Sequence, residues 1–577
     1  MDINYAQRVE ALRQVMRSKG WDAVIISGSD PHSSEYPAPR WKQVEWLSGF
    51  TGEAGDIVVT LDHAGLWTDT RYFIQAVSQL EGSGIVLHKT RIPEQVLIPE
   101  WLASVAFSGR NYVNIAVDGL CQSVAFIQDI KNAFDEDTEV RIISVPDLLD
   151  CLWTDRPAVP STPILKLSEA QVGESSESKI EWLRSFLRSK GCDNILITAL
   201  DEIAWLLNVR ASDIDYNPLV ISYLIVTQDE VRWFTRESYD DVFLSLGDLH
   251  GLTYVDPSTL NFHIYNMMDA DSRVCGPSPI PLRKAVKNAT EIEGMRLAHF
   301  YDGIAMEKFL YWLEKSVQGG QRITEWDASI ELGALRAEID GFRGESFATI
   351  SAYGPGGALP HYITPEQDAP VIEPRGLYLN DSGGQYLFGT TDITRTVPMG
   401  PCTYLEMQDY TLVLRGHINL ARSVFPKGTA GCQLDAVARS PLWQTKRNFG
   451  HGTGHGIGFF LGVHEGPHDI RQNFNRQPLL PGMIVSDEPG LYREGLHGVR
   501  HESLLLCREA GSNEFGDWLE WENLTLCHID TGAIIRNLMT EEEITWLNAY
   551  NARVYENLKD HLPSDVAQWL QEKTKPI

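Results

Sequence analysis

At 577 residues the chain exceeds the length that one hydrophobic core normally serves, so we expect two to four domains. Basic residues number 49 and acidic residues 78, and the net charge of −29 would repel phosphate backbones, which argues against nucleic acid as a partner. The sequence opens without an apolar signal segment and has no run of about 18 apolar residues, so we predict a cytoplasmic protein with no membrane partner.

An internal repeat occupies the first half of the chain. Leu12–Asp22 and Leu183–Asp193 match at seven of eleven positions, with a constant offset of 171. Each segment is predicted to be a helix that ends at a glycine, Gly20 or Gly191, and is followed by a buried strand. Two copies of one α/β domain explain this pattern better than chance does.

Proline-rich segments suggest where these domains end. Asp155–Pro163 separates the two copies, and Gly276–Leu282 follows the second. We therefore predict two α/β domains, a larger third domain and a C-terminal extension, with the boundaries 1–155, 156–282, 283–515 and 516–577.

The third domain alternates pairs of helices with strands. Two capping boxes, Thr290 with Glu293 and Thr324 with Asp327, are predicted to begin the first pair of helices. A second pair is expected at 404–425 and 429–443. Because helices and strands recur twice in the same order, we predict an internally duplicated α+β unit.

The C-terminal extension is also predicted to be helical. Thr540 and Glu543 form another capping box before a helix with Leu547, Tyr550 and Val554 on one face. This extension is expected to pack either on its own domain or at a dimer contact, and we predict a homodimer.

Two aspartates lie on a predicted pair of strands. Leu377–Asn380 is a short apolar stretch, and Thr390–Val397 is a β-branched returning strand after a glycine break. This arrangement would place Asp381 beside Asp392. Two adjacent carboxylates repel each other unless a cation lies between them, so they indicate half of a metal site. The alternative is a pair of surface aspartates beside a turn.

Four histidines follow within 451–468. The spacing of His451 and His455 resembles a helical zinc motif, but the intervening and following glycines would each cost a helix about 1 kcal/mol, so a loop or strand is predicted. Glu488 ends an apolar run, and Glu502 comes fourteen residues later. One imidazole with four carboxylates suits two divalent ions that share bridging oxygens, and hard oxygen ligands favour Mn²⁺ or a similar ion.

These residues resemble, in order and local sequence, the five metal ligands of the pita-bread metallopeptidases, the family of aminopeptidase P, prolidase and methionine aminopeptidase. The five are Asp381, Asp392, His455, Glu488 and Glu502. Four segments also resemble aminopeptidase P of the long, three-domain cytosolic kind. They are 354–362, 451–456, 463–467 and 487–490. The resemblance implies two repeated creatinase-like α/β domains, then a pita-bread α+β catalytic domain in which helices back a curved antiparallel sheet.

The resemblance also implies a reaction. Asp392 and Glu502 would bridge two divalent ions, Asp381 would complete the shell of one ion, and His455 with Glu488 that of the other. Mn²⁺ is favoured over Co²⁺ or Zn²⁺. A water held between two such ions loses its proton near neutral pH, and the bridging hydroxide would attack the scissile carbonyl, with Glu488 as general base. The predicted activity releases the N-terminal residue from peptides that have proline in the second position.

Further residues receive roles from the same resemblance. His361 and His464 would hold the scissile carbonyl and stabilise the oxyanion, and His451 would line the prolyl pocket. Phe347 matches a position of that pocket, which must recognise the ring by shape because an Xaa-Pro bond has no amide hydrogen. Arg500, two residues before Glu502, would steady the Glu502 carboxylate or relay protons. The alternatives are structural histidines, a core phenylalanine and a plain salt bridge.

Departures from the family pattern spare all five ligands. They occur at Gly462, His501 and Ser503, and they bear on rate or pocket detail, not on the reaction class. His468 and His501 are expected to be structural. Two other functions stay open, a prolidase-like activity restricted to Xaa-Pro dipeptides and a non-catalytic peptide-binding relative. Retention of the five ligands argues against the second.

Overall fold

The computed structural model describes residues 4–577, which form two compact units. The N-terminal unit extends to Leu167 and continues over Glu174–Ile280, and the C-terminal unit consists of Ser168–Gly173 and Pro281–Ile577. Within residues 4–577, none of the helices combines the length and the apolar character that a membrane span requires.

The N-terminal unit contains the predicted repeat. The helices Tyr5–Lys19 and Ser176–Lys190 both end at a glycine with a positive φ of 68°, Gly20 and Gly191. Its helices are Tyr5–Lys19, Gln43–Ser48, Phe73–Gln79, Ile98–Trp101, Val124–Ala133, Ser176–Lys190, Leu200–Leu207, Asp241–Ser245 and Phe262–Met267.

Each copy builds its own sheet in the same way. The strand after the first helix, Ala23–Ile26 or Asn194–Ile197, pairs antiparallel with the next main strand and parallel with a later one. In spatial order the six-stranded sheet contains Val86–Lys89, Ala64–Thr68, Asp56–Thr60, Ala23–Ile26, Tyr112–Val117 and Glu139–Ser144. The five-stranded sheet contains Val231–Thr235, Ser222–Thr227, Asn194–Ile197, Thr253–Val255 and Arg273–Cys275. Equal pairing in both copies confirms the duplicated α/β domain.

The long helix of the C-terminal unit has a cap that differs from the prediction. This helix starts at Ala289, because the Asn288 side chain accepts a hydrogen bond from the Glu291 amide while the Glu291 carboxylate accepts one from the Asn288 amide. The predicted box at Thr290 is therefore wrong by two residues, whereas the boxes at Thr324 and Thr540 are confirmed. The α-helices of this unit are Glu169–Val172, Ile280–Ala285, Ala289–Gln318, Glu325–Ala337, Tyr404–Ala421, Gly431–Trp443, Glu541–Leu558 and Ser564–Lys573.

Two small antiparallel sheets follow the two pairs of helices. The first orders Ile350–Tyr353, Leu377–Ser382 and Ile393–Pro398. The second orders Phe425–Pro426, Gly516–Asn523, Ser503–Asn513 and Ile484–Asp487. The other strands of this unit are Phe342–Glu345, Gly384–Tyr386, Gly389–Thr390, Gly454–His455, Asp469–Ile470, Gly490–Arg493 and His497–Arg500. This order matches the predicted duplicated α+β arrangement.

The C-terminal helices belong to the core of their own unit. Leu547, Val554 and Leu558 are fully buried, and they share one hydrophobic cluster with Leu313 of the long helix and Val413. The domain boundaries and the homodimer stay predictions.

We expect Leu547→Ala to lower the free energy of unfolding of the C-terminal unit by about 2–5 kcal/mol, because it leaves a cavity in this cluster. Urea unfolding followed by circular dichroism measures the change. The matched control is Leu297→Ala, at a helical position with a side chain 42% exposed, which should change stability much less. Equal effects of the two substitutions would contradict the core role of the C-terminal helices.

Candidate metal centre

The first two acidic residues lie at the edge of the three-stranded sheet. Leu377–Ser382 pairs antiparallel with Ile393–Pro398, and Asp381 lies opposite Thr394. Asp392 comes directly before the second strand, two residues from Thr394, so its side chain points to the same face as that of Thr394. The two aspartates are therefore diagonal neighbours.

The returning strand begins later than the sequence predicted. Its start is Ile393 and not Thr390, because 384–390 form a separate short hairpin. In that hairpin Gly384–Tyr386 also pairs with Phe342–Glu345. The main-chain groups between the aspartates thus have their own partners, and the strand that follows Asp392 is shorter.

The two glutamates are likewise placed by a pair of strands, in the second sheet. Ile484–Asp487 pairs with Ser503–Asn513, and Asp487 lies opposite Ser503. Glu488 and Glu502 therefore lie side by side, each one residue beyond the paired ends. The Glu502 amide also donates to the carbonyl of Thr394 at 3.0 Å, which ties this edge to the strand that carries the first sheet's ligands.

His455 lies on a two-residue strand, Gly454–His455, as the glycine pattern predicted for a loop or strand. The glycines on either side permit close backbone packing: a Cβ on Gly454 would lie 1.9 Å from the Ser486 carbonyl oxygen, and one on Gly456 would lie 2.0 Å from the Glu465 carbonyl oxygen. The His455 amide donates to Ser486 Oγ at 3.0 Å. These contacts place the imidazole beside the strand that ends at Asp487.

The predicted ligands converge. One ligand atom each from Asp392, His455 and Glu502 lies within 4.8 Å of the other two. His455 Nε2 is 3.5 Å from Asp392 Oδ2 and 3.4 Å from Glu488 Oε1. Thr394 Oγ1 donates to Glu502 Oε2 at 2.8 Å.

Burial and mutual repulsion shape the electrostatics of this cluster. Burial raises the pKa of Glu488 to about 7, although His455 and Arg500 partly offset it. Burial, followed by repulsion from Asp392, raises the pKa of Glu502 well above its usual value. The pKa of Asp381 is raised by burial too, against the opposing effect of Arg500. Protein cations therefore compensate this negative charge only in part.

A bound cation would satisfy the carboxylate oxygen that has no protein partner. Asp381 Oδ1 is buried and has no hydrogen-bond donor within residues 4–577. An unpaired buried carboxylate oxygen is costly, and hard divalent ions prefer such oxygens as ligands. The donor set of four carboxylates and one imidazole therefore suits divalent metal ions.

Arg500 connects the acidic cluster to an aromatic wall. Its guanidinium is buried, forms an ion pair with Asp381 and donates to Thr394 Oγ1 at 3.1 Å. It also donates to the hydroxyl of Tyr492 at 2.7 Å, and that hydroxyl is 2.7 Å from His451 Nε2. The ion pair of Arg500 is with Asp381, whereas the sequence had pointed to Glu502.

Thr394 and Tyr492 were not predicted from the sequence to belong to the site. Both are ordinary strand residues, and their roles arise from contacts with partners far away in the chain. The one available signal was alternation, since Thr394 lies two positions from Asp392 on the same strand face.

The remaining predicted residues lie in different surroundings. The ring of His464 meets that of His455 edge-to-face at 4.3 Å between centroids. His361 is half-buried and close enough to contribute to the lowered pKa of His451, which burial and Arg500 dominate. Phe347 is half-buried in the segment before Ile350–Tyr353. The catalytic and binding roles of these residues stay predictions.

The residues expected to be structural are buried. His468 Nε2 is 2.9 Å from the carbonyl oxygen of Ile484, and His501 packs edge-to-face on Tyr410 at 4.5 Å between centroids. Gly462 accepts a hydrogen bond from the Gly458 amide inside the tight loop between His455 and His464.

Buried carboxylates and an imidazole, gathered between two duplicated halves of an α+β unit, define a metal-dependent hydrolase with the pita-bread fold. Metallopeptidase family M24 matches residues 293–509, and the C-terminal region of that family matches 517–577. The creatinase/prolidase N-terminal domain matches twice, at 8–151 and 155–245. The chain belongs to metallopeptidase family M24, and within it to the Xaa-Pro aminopeptidase P group.

Relatives match over the whole chain. Probable Xaa-Pro aminopeptidase P of Laccaria bicolor is 37% identical over 100% of this chain and 94% of its own. The protein of the same name from Coprinopsis cinerea is 36% identical, over 100% and 99%. The crystal structure of X-prolyl aminopeptidase from Caenorhabditis elegans, described as a cytosolic enzyme with a di-nuclear active site, is 34% identical, covers 100% of both chains and has a TM-score of 0.94.

We expect Mn²⁺ to raise the thermal midpoint of metal-free protein, because an ion that binds only the folded state at about 100 times its Kd adds about 2.7 kcal/mol. Asp392→Asn should greatly reduce this shift. The matched control is Glu307→Gln, in a second buried group with Cys527 and His528 whose ligand atoms also lie within 4.8 Å of one another. A shift that survives Asp392→Asn but disappears in Glu307→Gln would show that the ion binds at Glu307, Cys527 and His528 and not at the predicted site.

Proposed function

We propose that this protein is an aminopeptidase that releases the N-terminal residue from peptides with proline in the second position. The observation that carries the proposal is the convergence of Asp392, His455 and Glu502 within 4.8 Å, with Glu488 and Asp381 beside them. Similarity to proteins named Xaa-Pro aminopeptidase P over the full length of the chain supports the substrate class.

Two divalent ions would be held by the five predicted ligands. Asp392 and Glu502 would bind both ions, Asp381 would serve one, and His455 with Glu488 the other; the di-nuclear site of the nematode relative supports this number. When bound, such ions acidify water and polarise a carbonyl oxygen. Oxygen-rich coordination favours Mn²⁺ as the native metal.

Glu488 would handle the proton of the attacking water. Its Oε1 accepts a hydrogen bond from Ser486 Oγ at 3.2 Å, which fixes the orientation of the carboxylate. The other oxygen would accept the proton and then pass it to the departing amine. His464, held against His455, and His361 would donate hydrogen bonds to the carbonyl oxygen as negative charge develops there.

An aromatic wall would receive the proline ring. His451 stands 4.8 Å from Phe449 and 5.4 Å from Tyr492 between ring centroids. Both ring nitrogens of His451 are engaged, Nδ1 with the Gly452 carbonyl and Nε2 with the Tyr492 hydroxyl, so the ring orientation is fixed. Such a wall selects a ring by shape, with Phe347 as a further candidate.

We expect the Mn²⁺-loaded protein to release alanine from Ala-Pro-Ala and to leave Ala-Ala-Ala and N-acetyl-Ala-Pro-Ala intact, with products identified by mass spectrometry. Asp392→Ala should lower the rate by more than about 100-fold, because even the loss of an outer partner of a metal ligand costs about 10–100-fold. Cleavage of Ala-Pro alone would instead indicate a prolidase-like dipeptidase. Absence of hydrolysis in fully metal-loaded protein would indicate a non-catalytic peptide-binding relative.

A further inference from the structure

A buried ion cluster lies directly next to the proposed catalytic histidines. Lys284 Nζ is 2.7 Å from Glu465 Oε2, and Lys287 Nζ is 3.1 Å from Glu465 Oε1. All three side chains are at most 2% exposed. The mechanism described above uses none of them, yet burying three charges is expensive unless their geometry serves a purpose.

Glu465 closes the loop that carries two site histidines. It follows His464 in the chain, and its amide donates to the carbonyl of Gly456, the residue after His455, at 2.8 Å. His455 and His464 therefore each precede one of the two residues joined by this bond, which explains how their rings meet at 4.3 Å.

Apolar packing holds the loop as a whole, since Ile457, Leu461 and Val463 are fully buried. Gly456, Gly458 and Gly462 have no side chains to pack, and glycine has more backbone freedom to lose on folding than any other residue. A doubly bound carboxylate is directional and short-range, so it adds to the non-directional apolar packing a restraint on the exact position of the loop.

The lysines tie the loop to a second part of the site. The Lys287 amide donates to the carbonyl of Gly482 at 3.0 Å, just before the strand Ile484–Asp487 that leads to Glu488. Lys287 Nζ also donates to the Lys284 carbonyl at 3.3 Å. Burial opposes ionisation of Glu465, but the two lysines outweigh it and lower the pKa of that carboxyl.

We propose that Glu465, clamped by Lys284 and Lys287, is a positioning residue that sets the geometry of His455 and His464 relative to Glu488. The proposal rests on the proposed peptidase function. It assigns to the glutamate after His464 a role that acts through its neighbours and not through contact with substrate.

The first test measures the loop without metal or substrate. In metal-free protein, hydrogen–deuterium exchange of the peptide that spans 455–468 should be at least about tenfold faster in Glu465→Gln than in the unmodified chain, because the loop is no longer clamped. Lys287→Met offers a second, milder variant should Glu465→Gln fail to fold. The matched control is Lys179→Met: Lys179 is 1% exposed in the N-terminal unit, and its Nζ donates to the Trp205 carbonyl and Asn208 Oδ1.

The second test measures catalysis on Ala-Pro-Ala. Glu465→Gln and Lys287→Met should lower kcat by about 10–100-fold while KM stays within about threefold, since misplaced catalytic groups cost rate more than binding. Lys179→Met should leave both constants unchanged even if it lowers the thermal midpoint equally.

The two tests separate the two proposals. An inactive parent protein would overturn the peptidase function, while the exchange comparison would still report on the clamp. Wild-type exchange and wild-type kcat in Glu465→Gln, with a parent protein that cleaves Ala-Pro-Ala, would overturn the positioning role and leave the peptidase function intact. A loss of kcat in Lys179→Met as large as in Lys287→Met would overturn it as well, because the effect would then follow from instability alone.

Discussion

Four carboxylates forced into one buried space are the constraint on which this structure depends. Asp381, Asp392, Glu488 and Glu502 repel one another, and burial removes the water that would otherwise soften the repulsion. Arg500 neutralises one of them through its ion pair with Asp381. Protons or cations from outside the chain must balance the rest of the charge, so metal binding and the integrity of this region are coupled through ordinary electrostatics.

The duplicated fold explains how acids so far apart in sequence reach one place. Each half contributes an antiparallel pair of strands, and each pair delivers two carboxylates near its paired ends. The hydrogen bond from the Glu502 amide to the Thr394 carbonyl joins the two pairs. Because backbone pairing and not side-chain flexibility sets the spacing, the ligands are positioned before any ion arrives.

The sequence predicted those parts of the site that are encoded locally. A capping residue or an acid at a strand end needs only its immediate neighbours, so the boxes at Thr324 and Thr540 and the pair Asp381 and Asp392 were within reach. The full set of five ligands came from the family resemblance and stays a prediction. The cap at Asn288 was missed because Thr290 with Glu293 offers the same pattern two residues later. The partner of Arg500 could not be predicted, since tertiary packing brings Asp381 beside it from 119 residues away.

Histidines and carboxylates of this site are restrained by different means, and the difference follows from their backbones. The acids stand next to paired strands, where main-chain hydrogen bonds already limit movement. His455 and His464 flank a glycine-rich loop that is connected to the second sheet by buried apolar side chains and by a hydrogen bond from the Ile457 amide to the Ile484 carbonyl at 3.3 Å. Glu465 and its two lysines add a directional ionic connection at the end of the loop. A reaction that needs imidazoles and carboxylates in fixed relative positions would lose rate with small displacements. The proposed role of the buried ion cluster is therefore to restrain the backbone of the loop.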